Sequence, residues 1–187
     1  MVDVSTVQHL TTDQLDAGLT HIAASPGDVG TVEMIVRRPE EDAREVLDGC
    51  ELVVGAGLAG DNYLARGSSS TDDGSAHPEA QLNLMNSRAI DLVAAGDRSR
   101  WALAGDQFFV DLDLSVDNLP VGTRLSLGTA IIEVAAKPHN GCAKFAARFG
   151  QDAARWVNRE QQQRRRGLNA MVVQAGRVRQ GDTITKL

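Results

Sequence analysis

The sequence is poor in cysteine and in aromatic residues, and it has no long apolar run. Cys50 and Cys142 are the two cysteines in 187 residues, too few for a disulfide scaffold, a zinc site or an iron–sulfur cluster. No apolar stretch approaches the ~20 residues that cross a bilayer, so we expect no membrane partner. The first 36 residues lack Lys and Arg, so a signal peptide is not indicated. We expect a cytoplasmic protein with reduced thiols.

Positive charge is also in short supply, and it is concentrated at one end. The formal net charge is -6, yet residues 137–187 hold eleven Lys and Arg against three Asp and Glu. The rest of the chain therefore carries a net charge of -14. An acidic chain with one basic third favours a local anion site. It does not favour general nucleic-acid binding, and we expect no nucleic-acid partner.

Short alternating runs and glycine-marked turns predict a mainly β fold. Candidate strands occupy residues 31–38, 51–54, 80–85, 107–112, 124–127, 130–136, 168–175 and 183–187. Candidate helices occupy residues 11–24, 87–95, 142–149 and 152–166, with a short helix or turn at 40–48 and a turn at 176–182. Strands outnumber helices and the connections are short, which favours a β-barrel with a few peripheral helices over a doubly wound sheet. We divide the chain into an N-terminal appendage, 1–30, and one domain, 31–187.

The segment from Lys137 to Phe145 is the strongest candidate for a functional site. It follows a strand-like run and precedes a helix-like one, and Asn140 is a good N-cap for that helix. Cys142 would then lie in the first helical turn, where the helix dipole and nearby cations favour a thiolate. We therefore expect Cys142 to react with iodoacetamide before Cys50. The alternative is a small buried cysteine in the core.

Three other stretches allow more than one interpretation. Gly55–Gly60 matches the G-x-G-x-x-G pattern of dinucleotide phosphate loops, but residues 61–78 cannot carry the helix that such a site requires. We predict instead that Gly57–Asp61 forms a loop beside Cys142. Residues 67–78 are rich in Ser, Gly and Asp and predict a mobile surface loop. Arg164–Arg166 is either the basic end of a helix or an anion clamp that faces the cysteine.

The pieces together resemble a MOSC domain, the module named for the C-terminal domain of molybdenum-cofactor sulfurases, here as a stand-alone member. The matching segments are Gly57–Asp61, Gln81–Asn86, Gly105–Phe108, Leu119–Leu125, the strand that ends at Pro138, Cys142 and Gly176–Ile184. They follow the family's order and cover about residues 31–187. Two features depart from the family. Gly105-Asp106-Gln107 replaces a frequent Gly-Glu-Asn, and Pro138 lies farther from the cysteine than usual.

The resemblance implies a MOSC-type β-barrel with a functional cysteine. In the family that cysteine is held to carry sulfur as a persulfide or to bind the molybdenum of a pterin cofactor, and some members reduce N-hydroxylated compounds. Cys142 is the matching residue, both as catalytic residue and as metal ligand. The chain shows no flavin or nicotinamide motif, so a reductase of this kind would need an external electron donor. The expected partners are thus a small-molecule ligand or substrate and a redox or sulfur-donor protein.

Further residues are candidates for holding the molybdenum cofactor (molybdopterin). Basic side chains and backbone amides would bind its phosphate, and strand-end polar groups would bind the pterin. The candidates are Gly60, Asp61, Asn62, Asn83, Asn86, Gln107, Lys137, Asn140, Lys144 and Arg166. Two other interpretations stay open. One is a Cys–His transferase or hydrolase with His139 or His77 as base, and the other is a non-catalytic β-barrel binding module.

Overall fold

The computed structural model describes residues 8–187, which form eleven strands and six short helices. The strands are β1 Val29–Arg37, β2 Glu45–Leu47, β3 Gly49–Val53, β4 Gly57–Leu58, β5 Leu82–Asn86, β6 Phe108–Asp111, β7 Arg124–Leu127, β8 Ala130–Val134, β9 Leu168–Gln174, β10 Gly176–Arg179 and β11 Thr183–Lys186. The helices are α1 Thr12–Asp16, α2 Leu19–Ala23, α3 Tyr63–Arg66, α4 Ser87–Val93, α5 Ala143–Phe149 and α6 Gln151–Asn158. Three short 3-10 helices lie at Pro78–Ala80, Arg98–Ala104 and Gln161–Gln163. Within these residues no helix has the length and apolar character needed to span a membrane.

Seven strands close into a barrel. Their order is β1, β6, β5, β9, β8, β7 and β11, and β11 pairs with β1 to complete the circle. Neighbouring strands are antiparallel except for β5 and β6, which run parallel. β2 extends the sheet outward from β1, and β10, β3 and β4 form a separate small sheet. This arrangement confirms the prediction of a mainly β fold built on a barrel with a few short helices.

One side of the barrel wall is apolar on both faces. Along β1, Val32 and Ile35 belong to the cluster inside the barrel, whereas Met34 and Val36 belong to a second cluster outside it. The helices cover this outer cluster. Side chains alternate across a strand, and a shift in register between Val32 and Met34 adjusts the alternation. The wall is therefore buried on both sides, which explains continuous apolar runs such as residues 108–110.

Helices α1 and α2, which the sequence analysis assigned to an appendage, pack against this outer cluster. Thr11 begins α1 with a capping box in which its side chain and that of Gln14 bond each other's backbone amides. Leu15 is fully buried in the outer cluster. Asp16 accepts a hydrogen bond of 2.9 Å from the Trp156 indole, which fastens α1 to α6. Gly18 separates α1 from α2.

Three local predictions were wrong. The helix expected over 152–166 ends at Asn158, because Glu160 and Arg164 adopt left-handed backbone conformations. The segment 40–48, expected to be a helix or turn, contains strand β2 paired with the end of β1. Residues 176–179, expected to lie in a turn, form β10 and pair with β3. In the last two cases strand pairing overrides the local preference, with the preceding strand for β2 and with a strand far along the chain for β10.

Gly167 allows the backbone before β9 to pass closely over β5, which gives the first prediction. Its φ is +106°, and a Cβ there would collide with the Leu84 carbonyl oxygen. We expect Gly167→Ala to lower the free energy of unfolding by more than about 2 kcal/mol, measured by urea denaturation. Gly181→Ala is the matched control, because its φ of +85° is similar and nothing lies within 4 Å. It should cost only about 1 kcal/mol. Equal losses in the two variants would contradict the role of the close approach.

Candidate functional site

A cleft of about 460 Å³ opens on the outer face of the barrel wall, over the paired residues Asn83 of β5 and Asn169 of β9 and beside the end of β1. Its wall comes from residues between 38 and 44, between 62 and 68, between 77 and 80, and between 137 and 148. Asn83, Gly105, Arg166 and Asn169 also line it. Asn83 and Asn169 alternate with leucines and an alanine of the interior cluster, so their side chains point out of the barrel. Polar side chains from the surrounding connections converge on the same space.

Cys142 lies on the rim of this cleft. It is the N-cap residue of α5, with φ −108° and ψ 179°, and it is exposed. It lines both the cleft and an open shallow groove between α5 and α6. Asn140, the expected N-cap, lies two residues before the cap position and lines the cleft. The prediction of a core cysteine does not hold for Cys142, and its thiol is available to a ligand.

Beneath Cys142, a buried carboxylate joins the cysteine loop to the barrel. Asp106 accepts hydrogen bonds from Arg166 at 2.7 Å and from His139 Nε2 at 2.8 Å. Burial alone would raise the pKa of Asp106, but the positive charge of Arg166 and the bond from His139 bring that pKa below its ordinary value. Asp106 is thus an ionised acceptor, so His139 must donate through Nε2.

His139 is held as a neutral imidazole. Burial lowers the pKa of His139, the charge of Arg166 lowers that pKa further, and Asp106 only partly opposes them. Among the described residues, no hydrogen bond joins the Cys142 sulfur to His139. His77 accepts the Glu79 amide through Nδ1 at 3.2 Å, which caps a 3-10 helix. The structure therefore shows no Cys–His pair of the kind that a cysteine hydrolase needs.

A second buried ion pair supports the floor of the cleft. Arg38 donates to both carboxylate oxygens of Asp61, and its Nη1 reaches the Asn83 side chain at 3.1 Å. The Gln107 side-chain oxygen accepts a hydrogen bond of 2.8 Å from the main-chain amide of Asn83. Asp61 and Gln107 were predicted as cofactor contacts. Both make these internal hydrogen bonds, and neither lines the cleft. Arg38 does line it.

Two more predicted contacts lie away from the cleft. Asn86 follows Asn83 by three residues along β5, so it points to another face of the sheet. There it caps α4 through the Ala89 amide and bonds the Leu112 carbonyl. Gly60 is exposed in the turn after β4, beside the Arg37 side chain. The chain that follows this turn carries Asn62 and Tyr63 into the cleft wall, and α3 is only four residues long, as expected if Gly55–Gly60 is not a dinucleotide loop.

The other predicted residues do meet in the cleft. They are Asn62, Asn83, Lys137, His139, Asn140, Cys142, Lys144 and Arg166. The sequence analysis missed Arg38, Arg44, Arg66, Asp106 and Asn169, which line or support the same space. For Arg38, a basic residue that directly follows an alternating strand was an available signal. Asp106 lies in the Gly105–Phe108 segment of the family resemblance, and nothing local distinguishes Arg44, Arg66 and Asn169 from surface residues.

Arg38 and Arg166 pair with the buried carboxylates of Asp61 and Asp106, and the other positive charges in the cleft fall into two groups. Lys144 and Arg148 are neutralised by the exposed carboxylates of Glu41 and Asp42. Arg44, Arg66 and Lys137 form no ion pair with any carboxylate of residues 8–187. Burial, and then the charge of neighbouring arginines, lowers the pKa of Arg44 and of Arg66. A bound anion would offset both the burial of these charges and the repulsion between neighbouring arginines.

Polar atoms without partners also gather in the cleft. Within the described chain, five buried side-chain atoms lack a hydrogen-bond partner, and three of them are Arg44 Nε, Asn62 Oδ1 and Arg166 Nε. Each of these three residues lines the cleft. An unpaired buried polar group is destabilising by ~1–3 kcal/mol. Their concentration at one place is typical of a site that accepts a polar ligand.

The neutral state of His139 predicts how stability depends on pH. The unfolded chain takes up a proton near pH 6.5 and the folded protein only at lower pH, so folding is progressively disfavoured as pH falls below ~6.5. Between pH 7 and 5, the free energy of unfolding should fall less in His139→Gln than in the wild type. Urea denaturation at the two pH values measures this. His21→Gln, at an exposed position, should keep the wild-type dependence. Equal dependence in His139→Gln would contradict the assignment.

The two thiols should differ strongly in reactivity. Cys142 is exposed, whereas burial raises the pKa of Cys50 to about 12. We expect iodoacetamide at neutral pH to modify Cys142 first, by peptide mapping over time, with Cys50 modified only after denaturation. The cause for Cys50 is burial beside β10. Faster labelling of Cys50 in the folded protein would contradict this order.

Solved structures with the same fold include three bacterial proteins. The YUAD protein from Bacillus subtilis is 16% identical, with a TM-score of 0.58 over 83% of this chain and 94% of that chain. YiiM from Escherichia coli is 18% identical, with a TM-score of 0.55 over 84% and 69%. YiiM from Geobacillus stearothermophilus is 13% identical, with a TM-score of 0.56 over 84% and 75%. These identities support a shared fold alone.

Comparison at the level of sequence gives the family. No curated protein matches the chain. The MOSC domain family, however, matches residues 71–185, which is more than half of the sequence and includes Cys142, His139 and Asp106. The barrel, the order of its segments and the exposed cysteine agree with that match. The chain belongs to the MOSC domain family.

Proposed function

We propose that the cleft binds the molybdenum cofactor, with the Cys142 thiolate as a ligand of the metal. The observation that carries this proposal is the combination at one place of an exposed thiol, three cations without carboxylate partners and three unpaired buried polar atoms. The volume of about 460 Å³ lies within the range of ~300–1,000 Å³ that is usual for cofactor pockets. MOSC domains as a family are associated with this cofactor.

The donor groups suit the chemistry of the ligand. A thiolate is a soft ligand that suits thiophilic metals. Within residues 8–187, no group of three or more His, Cys, Asp or Glu side chains could hold a bare ion. A metal bound at Cys142 would therefore arrive with ligands of its own, as it does in a pterin cofactor. Arg44, Arg66 and Lys137 would pair with its phosphate, and Asn62 Oδ1 would accept from the pterin.

The protein's own groups would then orient the cofactor. The cofactor, when bound, supplies a metal that exchanges electrons with the substrate. Burial and the charge of Arg166 keep His139 neutral, and its hydrogen bond to Asp106 holds it in place. His139 would therefore fix the cysteine loop and not act as a base toward Cys142. The side of Cys142 that faces the α5–α6 groove stays open. We infer reduction of small N-hydroxylated compounds, with electrons from a separate redox protein and in the cytoplasm.

A second candidate is sulfur carriage, in which Cys142 holds a persulfide. The exposure of Cys142 on the open groove favours it, because a sulfur-donor protein must bring its own sulfur to the thiol. A nucleophilic hydrolase is not favoured, since its Cys–His pair is missing in the described residues. A non-catalytic binding module would leave the thiol without a role. Analysis of bound metal and of sulfur on Cys142 distinguishes cofactor binding, sulfur carriage and a binding module.

Removal of the thiol gives the direct test. Cys142→Ser should leave the fold intact, because the residue is exposed and the change in volume is small. When the Cys142→Ser variant is made in a host that supplies the cofactor, its molybdenum and pterin content should be at least 10-fold lower than that of the wild type. Elemental analysis measures the molybdenum, and pterin fluorescence measures the pterin. Cys50→Ala is the control and should keep both. Full retention in Cys142→Ser would refute Cys142 as the ligand, and a persulfide mass of +32 without molybdenum would favour sulfur carriage.

A further inference from the structure

Asn158, the last residue of α6, holds the residue directly before Cys142. Its Oδ1 accepts the Gly141 amide at 2.7 Å, and its Nδ2 donates to the Gly141 carbonyl at 3.1 Å. One side-chain amide thus satisfies both backbone polar groups of Gly141, much as a neighbouring strand would. Neither the family match nor the charge distribution points to this residue. The contact lies on the groove side of Cys142, opposite the cleft.

This contact requires a close approach of the cysteine loop to α6. A Cβ at position 141 would lie 3.1 Å from Val157 Cγ2 and 3.4 Å from Asn158 Nδ2. A side chain at position 141 would therefore crowd α6. Because glycine has no Cβ, the loop can lie close enough to α6 for both hydrogen bonds to form. The sequence Gly141-Cys142 is therefore matched to Asn158 across seventeen residues of chain.

The rest of the cysteine loop is held by other elements. Asn169 of β9 donates to the carbonyls of Lys137 at 3.0 Å and Pro138 at 3.2 Å. His139 is tied to Asp106 at 2.8 Å. The loop is thus bonded to the barrel at its first three residues. Cys142 bonds to the start of α5 through its carbonyl, which accepts the Ala146 amide at 3.0 Å, and Asn158 is the side chain that holds the residue directly before it. Asn140, between the two anchored parts, is exposed.

The helix that carries Asn158 is itself fixed. Trp156 is 1% exposed, and its indole donates to Asp16 at 2.9 Å. The Arg165 guanidinium packs over the same ring, 4.8 Å from its centre. Because α6 is anchored two residues before Asn158, the side-chain amide is presented to Gly141 from a rigid support. Such a support is what keeps a reactive group within a fraction of an ångström of its working position.

We propose that Asn158 is a positioning residue that fixes the Cys142 thiol on the rim between the cleft and the α5–α6 groove. Without its two hydrogen bonds, the bond from the Ala146 amide to the Cys142 carbonyl would be the restraint left at the start of α5, and Gly141 and the Cys142 side chain would take a wider range of orientations on the rim. The consequence for cofactor retention rests on the proposed function. The ordering of Cys142 itself does not, because it follows from contacts in the protein alone.

A nitroxide spin label on Cys142 tests the ordering directly. In a Cys50→Ala background, a methanethiosulfonate nitroxide attached to Cys142 should give an immobilised electron paramagnetic resonance spectrum. In Asn158→Ala its rotational correlation time should fall at least threefold. Asn158→Asp should lie between, because a carboxylate still accepts from the Gly141 amide but donates nothing to the carbonyl. Arg155→Ala, in the same groove and 76% exposed, should match the unsubstituted background.

The outcomes separate this inference from the proposed function. An unchanged label spectrum in Asn158→Ala, in protein shown to be folded by urea denaturation, would overturn the positioning role. The label result decides that role whether or not the wild type holds cofactor. If the wild type does hold it, Asn158→Ala should retain at least 10-fold less molybdenum than Arg155→Ala. Equal retention would also count against the inference, whereas a wild type without molybdenum would refute only the proposed function.

Discussion

The buried pairing of Asp106 with Arg166 is the interaction on which the candidate site depends. Asp106 precedes β6, Arg166 precedes β9, and His139, which shares the carboxylate, belongs to the cysteine loop. One fully buried carboxylate thus joins two barrel strands to the loop that presents Cys142. Removal of a single partner from such a pair leaves an uncompensated buried charge, which is destabilising by ~3–5 kcal/mol. The position of the thiol and the integrity of the barrel wall are therefore linked.

The barrel also explains why the site lies where it does. Its interior is filled by apolar side chains from all seven strands, so no ligand space exists there. Helices cover part of the outer wall. Beside that cover, Asn83 and Asn169 point outward from the paired strands β5 and β9, and the connections at 38–44, 62–68 and 137–148 add further polar side chains. Two buried ion pairs, at Asp61 and Asp106, keep these connections in place.

What the sequence allowed us to predict was local. The β7–β8 hairpin, the alternation of β1 and the start of a helix after Cys142 follow from periodicity and turn residues within a few positions. The site depends on pairs far apart in the chain, such as Arg38 with Asp61 and Asn158 with Gly141. The run Arg164–Arg166 illustrates the limit. Arg164 bonds the carbonyl of Leu119, Arg165 packs on Trp156 and Arg166 enters the cleft, so three adjacent residues have three different environments.

Electrostatics shows the same dependence on tertiary structure. The basic third of the chain suggested an anion site, but of the three cations without a carboxylate partner it supplies only Lys137, while Arg44 and Arg66 come from the acidic part. Acidic residues from that same part neutralise Lys144 and Arg148. Net charge along the sequence therefore identifies only part of the positive charge that the cleft contains. Any attraction of the cleft for an anion would depend on which cations the fold leaves without carboxylate partners, and a chain with a net charge of -6 can still gather such cations at one place.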